Sequence, residues 1–135
     1  MGVTLNPYLH FDGTAADAIA FYADVLGGTT SVMTFGQMGM EGPGAEKVMH
    51  GQLETDHGIT LMCSDFPPGE AVVKGNTVTV SLSGDDAGAL RNFWERLSDG
   101  GEVHTPLEKQ MWGDEFGACT DRFGVQWVVN IAGSG

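Results

Sequence analysis

Residues 112–130 read WGDEFGACTDRFGVQWVVN, and this stretch decides the fold. Its centre, the DRFG segment at 121–124, has the composition of a tight turn whose glycine can adopt a positive φ. The segment from Val125 to Ile131 is β-branched and aromatic, which is typical of a half-buried strand. The stretch therefore predicts a strand, a tight turn and a second strand.

A weaker copy of this pattern lies about half a chain earlier. The TDHG segment at 55–58 is followed by the apolar run ITLMC. The predicted helices repeat as well, because Phe21-Tyr22 precedes Gly27-Gly28 just as Phe93-Trp94 precedes Gly100-Gly101. Two related halves are indicated, each reading strand, helix and three strands. We place the halves at about 1–66 and 76–135, with a Pro- and Gly-rich linker at about 67–75.

This repeated βαβββ unit resembles the vicinal oxygen chelate superfamily, which includes glyoxalase I, extradiol dioxygenases and the bleomycin- and fosfomycin-resistance proteins. Within it the chain is similar to the PhnB-like branch, whose members are often called 3-demethylubiquinone methyltransferase-like. The residues that carry this resemblance span nearly the whole chain: Pro7 to Gly13, Phe21-Tyr22, Val48 to His50, Ser64-Asp65, Trp112-Gly113, Asp121 to Val125, Trp127 and Asn130. The resemblance implies a single α+β domain over residues 1–135. In it, two βαβββ repeats form a curved eight-stranded mixed sheet with the helices on the convex face.

Charge, hydropathy and cysteine content indicate which binding partners and which cellular compartment to expect. Six basic residues stand against eighteen acidic ones, a net charge of −12, which disfavours nucleic-acid and membrane-surface partners. No apolar run reaches the roughly 18 residues of a membrane span, and no signal peptide is visible. Cys63 and Cys119 are too few for a disulfide scaffold, so we expect buried free thiols in a cytoplasmic protein.

Alternation in the opening strands predicts which side chains face a cavity. In the first strand, expected from Val3 to Phe11, the odd positions are apolar and the even ones polar. The strand from Thr77 to Ser83 repeats this pattern, with Val78 assigned to the helix side. In the fold implied by the resemblance one face carries the helices and the other lines a cavity. The expected ligand-binding residues are Asn6, Tyr8, His10, Thr79, Ser81, Gln126 and Asn130.

His50 is the main candidate for chemistry, because imidazole is the side chain that titrates near neutrality. It is either an acid/base or ligand group in the cavity or a structural histidine, and we weight these evenly.

Trp112, at the tip of the loop 110–115, is either a binding or dimer anchor or a residue folded over the core. The loop 36–45, with two methionines, is a candidate lid or subunit contact. Thr14 and Asp17 have the form of a capping box at the first helix.

The resemblance also implies where metal ligands would stand. Superfamily metal enzymes use His or Glu on the strands that open and close each half. Those positions fall at Asn6, at or near Met62, near Thr79 (or Thr77) and at Val128. None is His or Glu, so no cofactor is expected. A displaced site using His10 and His50, with Glu54 or Gln52, remains the alternative.

Two hypotheses follow. In the first, the protein binds a small molecule without a metal, as the drug-sequestering branch does. In the second, it is a lyase, isomerase or dioxygenase that uses a relocated metal or a His50/His10 acid–base pair. Binding of NAD, ATP or a methyl donor is unsupported, because no Gly-rich phosphate loop follows a strand. The resemblance implies a homodimer, with Trp112 and the loop 36–45 as candidate contacts.

Overall fold

The computed structural model describes residues 2–67, 73 and 75–133, in which two helices and eight strands confirm the α+β βαβββ organisation. The chain divides into two compact units, Met1–Lys74 and Gly75–Gly135. Most of the linker predicted at 67–75 lies outside the described residues. The hydrogen-bonded ladders group the strands as two four-stranded sheets, one in each unit.

The first unit contains one long helix and sheet A, whose strand order is β1-β4-β3-β2. β1 and β4 are parallel, and the other pairs are antiparallel. A 3₁₀ turn, Gly36–Met38, lies within the loop 36–45, and the Gly36 amide donates to the Ala45 carbonyl across that loop. The elements are β1 (Tyr8–Phe11), α1 (Ala15–Leu26), β2 (Thr29–Thr34), β3 (Val48–Glu54) and β4 (Thr60–Asp65).

The second unit repeats this arrangement in sheet B, with strand order β5-β8-β7-β6. β5 and β8 are parallel, as β1 and β4 are in sheet A. β6 is irregular around Pro106, where its register with β7 shifts between Thr105 and Glu108, because proline lacks the N–H that a ladder needs. The elements are β5 (Val80–Gly84), α2 (Ala87–Ser98), β6 (Glu102–Lys109), β7 (Glu115–Thr120) and β8 (Gln126–Ile131).

In each unit the helix covers one face of its own sheet. The apolar stripe of α1 is buried against β2, β3 and β4, and that of α2 against sheet B. Apolar residues at helical spacing produce this packing, which hydrophobic burial stabilises. Each sheet therefore has a second face that its helix does not cover. The described helices are all too short or too polar to cross a membrane.

Both opening strands are shorter than predicted. β1 begins at Tyr8 rather than Val3, and Val3 and Leu5 are each 97% exposed. β5 begins at Val80 rather than Thr77, and Val78 is 78% exposed instead of lying under α2. Alternating polarity indicates that a segment has one apolar and one polar face, but it does not show whether a neighbouring strand pairs with that segment. In sheet A, Pro7 also lacks the N–H that would extend the ladder.

The capping box predicted for α1 is wrong. Thr14 occupies the N-cap position, but its side chain makes no capping hydrogen bond. The buried carboxylate of Asp65, at the end of β4, accepts hydrogen bonds from the amides of Gly13 at 2.8 Å and Ala15 at 3.0 Å. Its other oxygen accepts from the Val48 amide at 2.9 Å. A residue distant in sequence therefore satisfies the start of α1, which local pattern could not reveal.

Candidate functional site

The uncovered face of sheet A carries the densest group of polar and aromatic side chains that we identify in the first unit. Parallel pairing places Tyr8 beside Met62 and His10 beside Ser64. By alternation, His50 and Gln52 of β3 point to the same face. We call Tyr8, His10, His50, Gln52 and Ser64 the histidine cluster.

A chain of contacts runs through His50. The Tyr8 hydroxyl lies 3.1 Å from His50 Nδ1, and His50 Nε2 lies 3.5 Å from Gln52 Oε1, which is long for a hydrogen bond. With the amide oxygen of Gln52 facing Nε2, a neutral ring carries its proton on Nε2. The Tyr8 hydroxyl then donates to Nδ1. Tyr8 and Gln52 thus favour one tautomer of His50.

His10 forms the second part of the cluster. Its Nδ1 lies 3.1 Å from Ser64 Oγ, and Ser64 is buried. The imidazole stacks on the Tyr8 ring with centroids 5.0 Å apart and an interplanar angle of 23°. Its ring centroid also lies 5.2 Å from that of Phe66, with the two rings tilted by 33°. Phe66, His10 and Tyr8 therefore present a continuous aromatic surface beside the polar groups of His50 and Gln52.

The thiols lie away from this surface. Cys63 is buried on the helix side of sheet A, with Sγ 3.9 Å from the Ala15 carbonyl, as its alternation with Leu61 predicts. Burial raises the pKa of the Cys63 thiol to about 11, and the nearby Asp65 carboxylate adds to the shift. Burial, and secondarily Asp121, raises the pKa of Cys119 to about 11 as well. Neither thiol is prepared for nucleophilic chemistry, which needs the thiolate.

The four strand residues predicted for the second unit share the uncovered face of sheet B or its approach. Thr79 Oγ1 donates to Gln126 Oε1 at 3.2 Å, just before β5 begins. Ser81 is exposed on β5 and pairs with Val128. The Asn130 amide donates to Asp114 Oδ2 at 3.1 Å. None of these four residues is a histidine, but His104 lies beside them, with Nε2 2.8 Å from Oγ1 of Thr120, the residue that pairs with Gln126.

The remaining two candidates differ from the strand residues. Asn6 precedes β1, and its amide donates to Thr4 Oγ1 at 3.3 Å. Its predicted place on the first strand is therefore wrong, because that strand starts two residues later. Trp112 is 61% exposed and makes an edge contact with the Phe116 ring at 6.3 Å. Of the two alternatives for Trp112, the exposed one is found.

The donor set does not fit the divalent metal that the fold family uses. Of the expected ligand positions, Met62 and Val128 have no hard donor, and Asn6 and Thr79 provide only neutral oxygens. In the histidine cluster, Nδ1 of each imidazole already has a hydroxyl partner. Among the described residues no three His, Cys, Asp or Glu side chains come together as a metal-binding group.

The sequence predicted candidate residues but not their neighbours. Tyr8, His10 and His50 were predicted to face a cavity, which stays a prediction, whereas Ser64 and Phe66 were not singled out as site residues. The signal for Ser64 was its place at the end of a strand that pairs with β1. That pairing becomes visible only once the two strands are known to be parallel neighbours.

Comparison with known proteins places the chain in a family. The model of the Glyoxalase/Bleomycin resistance protein/Dioxygenase superfamily matches residues 4–129. YjdN of Escherichia coli K12 is 28% identical over 141 residues, covering 94% of each chain. The crystal structure of PA1353 from Pseudomonas aeruginosa is 33% identical with a TM-score of 0.88, covering 98% of this chain and all of that one.

A PhnB protein from Bacillus cereus, 21% identical, has the same fold, with a TM-score of 0.79 over 96% of this chain and 100% of that one. The fold agrees with the βαβββ repeats found in both units. The chain therefore belongs to the Glyoxalase/Bleomycin resistance protein/Dioxygenase superfamily.

Proposed function

We propose that the protein binds a small organic molecule over the histidine cluster, without a divalent metal. The observation that carries the proposal is the contact chain from Tyr8 through His50 to Gln52. It places a hydroxyl, an imidazole and an amide side by side on a face that the helix does not cover. Few precisely placed polar groups beside an apolar surface are typical of small-molecule sites.

The side chains of the histidine cluster and the neighbouring Phe66 indicate which chemical groups the ligand should carry. The aromatic surface of Phe66, His10 and Tyr8 suits a flat or apolar portion of a molecule. His50 and Gln52 suit a group that both donates and accepts hydrogen bonds. The cluster contains no Lys or Arg, and the chain carries a net charge of −12, so strongly anionic ligands are disfavoured.

A thermal-shift screen of metabolites and antibiotics identifies the ligand, because a molecule that binds the folded state raises the Tm. We expect His50→Ala to fold normally and to lose the response to the ligand found. His57→Ala is the matched control, because His57 is an exposed imidazole in the turn 55–58 of the same unit, outside the histidine cluster. A variant that melts several degrees lower but still binds would make His50 structural and remove it from the site.

The second candidate is an enzyme that uses His50, with His10, as an acid–base pair. The stack of Tyr8 on His10, together with the Tyr8 hydrogen bond to His50, favours it because one residue links both imidazoles. Mass spectrometry after incubation of the protein with the screened ligand distinguishes the candidates. Turnover that His50→Ala abolishes supports a lyase, isomerase or dioxygenase, and an unchanged ligand supports binding alone.

The metal-dependent alternative is tested on protein purified without an affinity tag. Elemental analysis should give substoichiometric zinc, iron, manganese and nickel. A stoichiometric amount of any of them, lost together with ligand binding in His50→Ala, would overturn the metal-free proposal and favour a relocated site.

The proposal includes a cytoplasmic homodimer. Met38 is 60% exposed and Trp112 61% exposed, and large exposed apolar side chains of this kind are typical of subunit contacts. The buried free thiols, Cys63 and Cys119, suit a reducing compartment. Light scattering in dilute solution should give the mass of a dimer, and cell fractionation should recover the protein with cytoplasmic markers.

A further inference from the structure

A cavity of about 270 Å³ lies in the second unit, apart from the residues proposed above. It is formed where α2 begins, where β6 ends and β7 begins, and where the chain leaves β8. The Ala132 amide donates to the Gly84 carbonyl there, which fixes the exit of β8 against the end of β5. Six lining residues matter for the argument: Asp85, Arg91, Lys109, Gly113, Glu115 and Gly133.

Two of the four charged lining residues neutralise each other. Arg91 Nε donates to Glu115 Oε1 at 3.3 Å, and Arg91 Nη2 donates to Glu115 Oε2. This two-point pairing of a guanidinium with a carboxylate fixes both side chains in one geometry. Arg91 and Glu115 therefore form a wall of the cavity rather than a charge available to a ligand.

The other two charges, Asp85 and Lys109, have no such partner. Within the described part of the chain, neither side chain makes a hydrogen bond or an ion pair, with each other or with any other residue. The neighbouring Asp114 carboxylate is already occupied, by the Asn130 amide and the Gly133 backbone amide. The cavity is thus lined by one acidic and one basic side chain with which no described residue pairs.

We propose that this cavity binds a small zwitterion, with its ammonium group at Asp85 and its carboxylate at Lys109. A ligand with a single charge would pair with only one of the two lining charges, whereas a zwitterion can pair with both. A simple anion is also repelled by the chain's net charge of −12, whereas a zwitterion is not. The volume suits a molecule the size of a free amino acid, below the range of drug-sized pockets.

Binding at this site is weak because both side chains are exposed. Exposed ion pairs contribute little to binding and are screened by salt. We therefore expect a dissociation constant in the millimolar range, measurable at low ionic strength.

The test compares three probes of similar length by NMR: 4-aminobutyrate, which carries both charges, and butyrate and butylamine, which carry one each. The backbone amides of Gly113 and Gly133 report on the cavity directly. 4-Aminobutyrate should shift both signals saturably, and the single-charge probes should bind at least about threefold more weakly. Saturation by butyrate or butylamine with equal affinity, or no saturable shift at either glycine, would overturn the proposal.

Variants assign the two charges. Lys109→Gln and Asp85→Asn should each weaken 4-aminobutyrate binding by about threefold to fivefold. Asp86→Asn is the control for Asp85→Asn, because it removes the same charge at the next residue and keeps a side chain that can cap α2. It should leave the affinity for 4-aminobutyrate unchanged. Lys47→Gln, in the first unit, is the matched control for Lys109. If the controls weakened 4-aminobutyrate binding as much as Lys109→Gln and Asp85→Asn do, the overall charge of the protein would explain the change. That result would contradict the proposed site.

Discussion

The two units build the same turn with different side chains. In the first, Thr55 Oγ1 accepts hydrogen bonds from the amides of His57 and Ile59. In the second, Asp121 Oδ1 accepts from the amides of Phe123 and Val125, two and four residues on in the same way. Thr55 and Asp121 each also close the turn through the backbone. The repeat thus preserves the hydrogen bonds that the turn needs, not the residue that supplies them.

A second shared device is the close approach of a glycine after each helix. A Cβ on Gly28 would lie 2.1 Å from the Glu54 carbonyl oxygen, and one on Gly101 would lie 2.1 Å from that of Thr120. Both glycines follow the helix and pass over the residue just before the matched turn. Backbone contact at this distance tolerates no side chain, which explains the second glycine of each pair.

The units differ in how the helix start is satisfied. α2 is capped by its own Asp86, whose carboxylate accepts from the Ala89 amide at 3.1 Å. α1 depends on Asp65, which reaches from β4 to the amides of Gly13 and Ala15 and also holds Val48 at the start of β3. The start of α2 is therefore satisfied by a local side chain, whereas Asp65 joins three segments of the first unit, including the strand that carries His50.

Replacing the two capping carboxylates should give the largest difference. Asp65→Ala leaves three amide donors without a partner, and we expect it to lower the free energy of unfolding by about 4 kcal/mol. Asp86→Ala removes one exposed cap and should cost about 1 kcal/mol. Urea denaturation of both variants measures the difference. Equal losses would mean that Asp65 acts as an ordinary local cap.

The turn residues should give a smaller difference. Asp121 is buried and also accepts from Trp127 Nε1 at 2.8 Å, so Asp121→Ala should lower the free energy of unfolding by about 3 kcal/mol. Thr55→Ala removes two hydrogen bonds in a turn that water reaches, and should cost about 1 kcal/mol. If Thr55→Ala were as costly as Asp121→Ala, the turn hydrogen bonds rather than the Trp127 contact would dominate.

These pairs also show what the sequence could predict. The DRFG turn, the glycine pairs and the apolar stripes specify the elements and the repeat, because each is a local pattern with a local cause. The role of Asp65 and the length of β1 depend on which strand lies beside which. Alternation predicts the face of Tyr8 and His10 because both lie within β1, whereas the predicted strand position of Asn6 is wrong because alternation continues past the end of strand pairing.

The two buried thiols, one in each unit, should affect the pH dependence of stability in the same direction. The pKa of Cys63 and of Cys119 is raised from 9.0 to about 11, so between these values the folded protein keeps protons that the unfolded chain has lost. The free energy of unfolding should therefore fall as pH rises from about 9 to about 11. Urea denaturation across this range should show a shallower fall for the double variant Cys63→Ala/Cys119→Ala. Identical slopes would contradict buried, protonated thiols.

The smallest expected effect concerns Asn130, a predicted ligand-binding residue in the second unit. Its amide hydrogen bond lowers the pKa of Asp114, and the backbone amide of Gly133 lowers it further. Asn130→Ala should therefore raise the Asp114 pKa while leaving it below 3.8, because the Gly133 contact remains. The carboxyl signal of Asp114, followed by NMR through acid titration, measures this shift.

Gln126→Ala is the control for that titration, because Gln126 pairs with Thr79 and, within the described residues, makes no hydrogen bond with Asp114. Since the folded pKa of Asp114 is depressed, its contribution to stability is present above the unfolded pKa and lost as pH falls through the folded one. That contribution is small for an exposed carboxyl. An unchanged Asp114 midpoint in Asn130→Ala would show that the amide is available in solution. Asn130 could then meet a ligand on sheet B with the freedom that His50, held between Tyr8 and Gln52, lacks on sheet A.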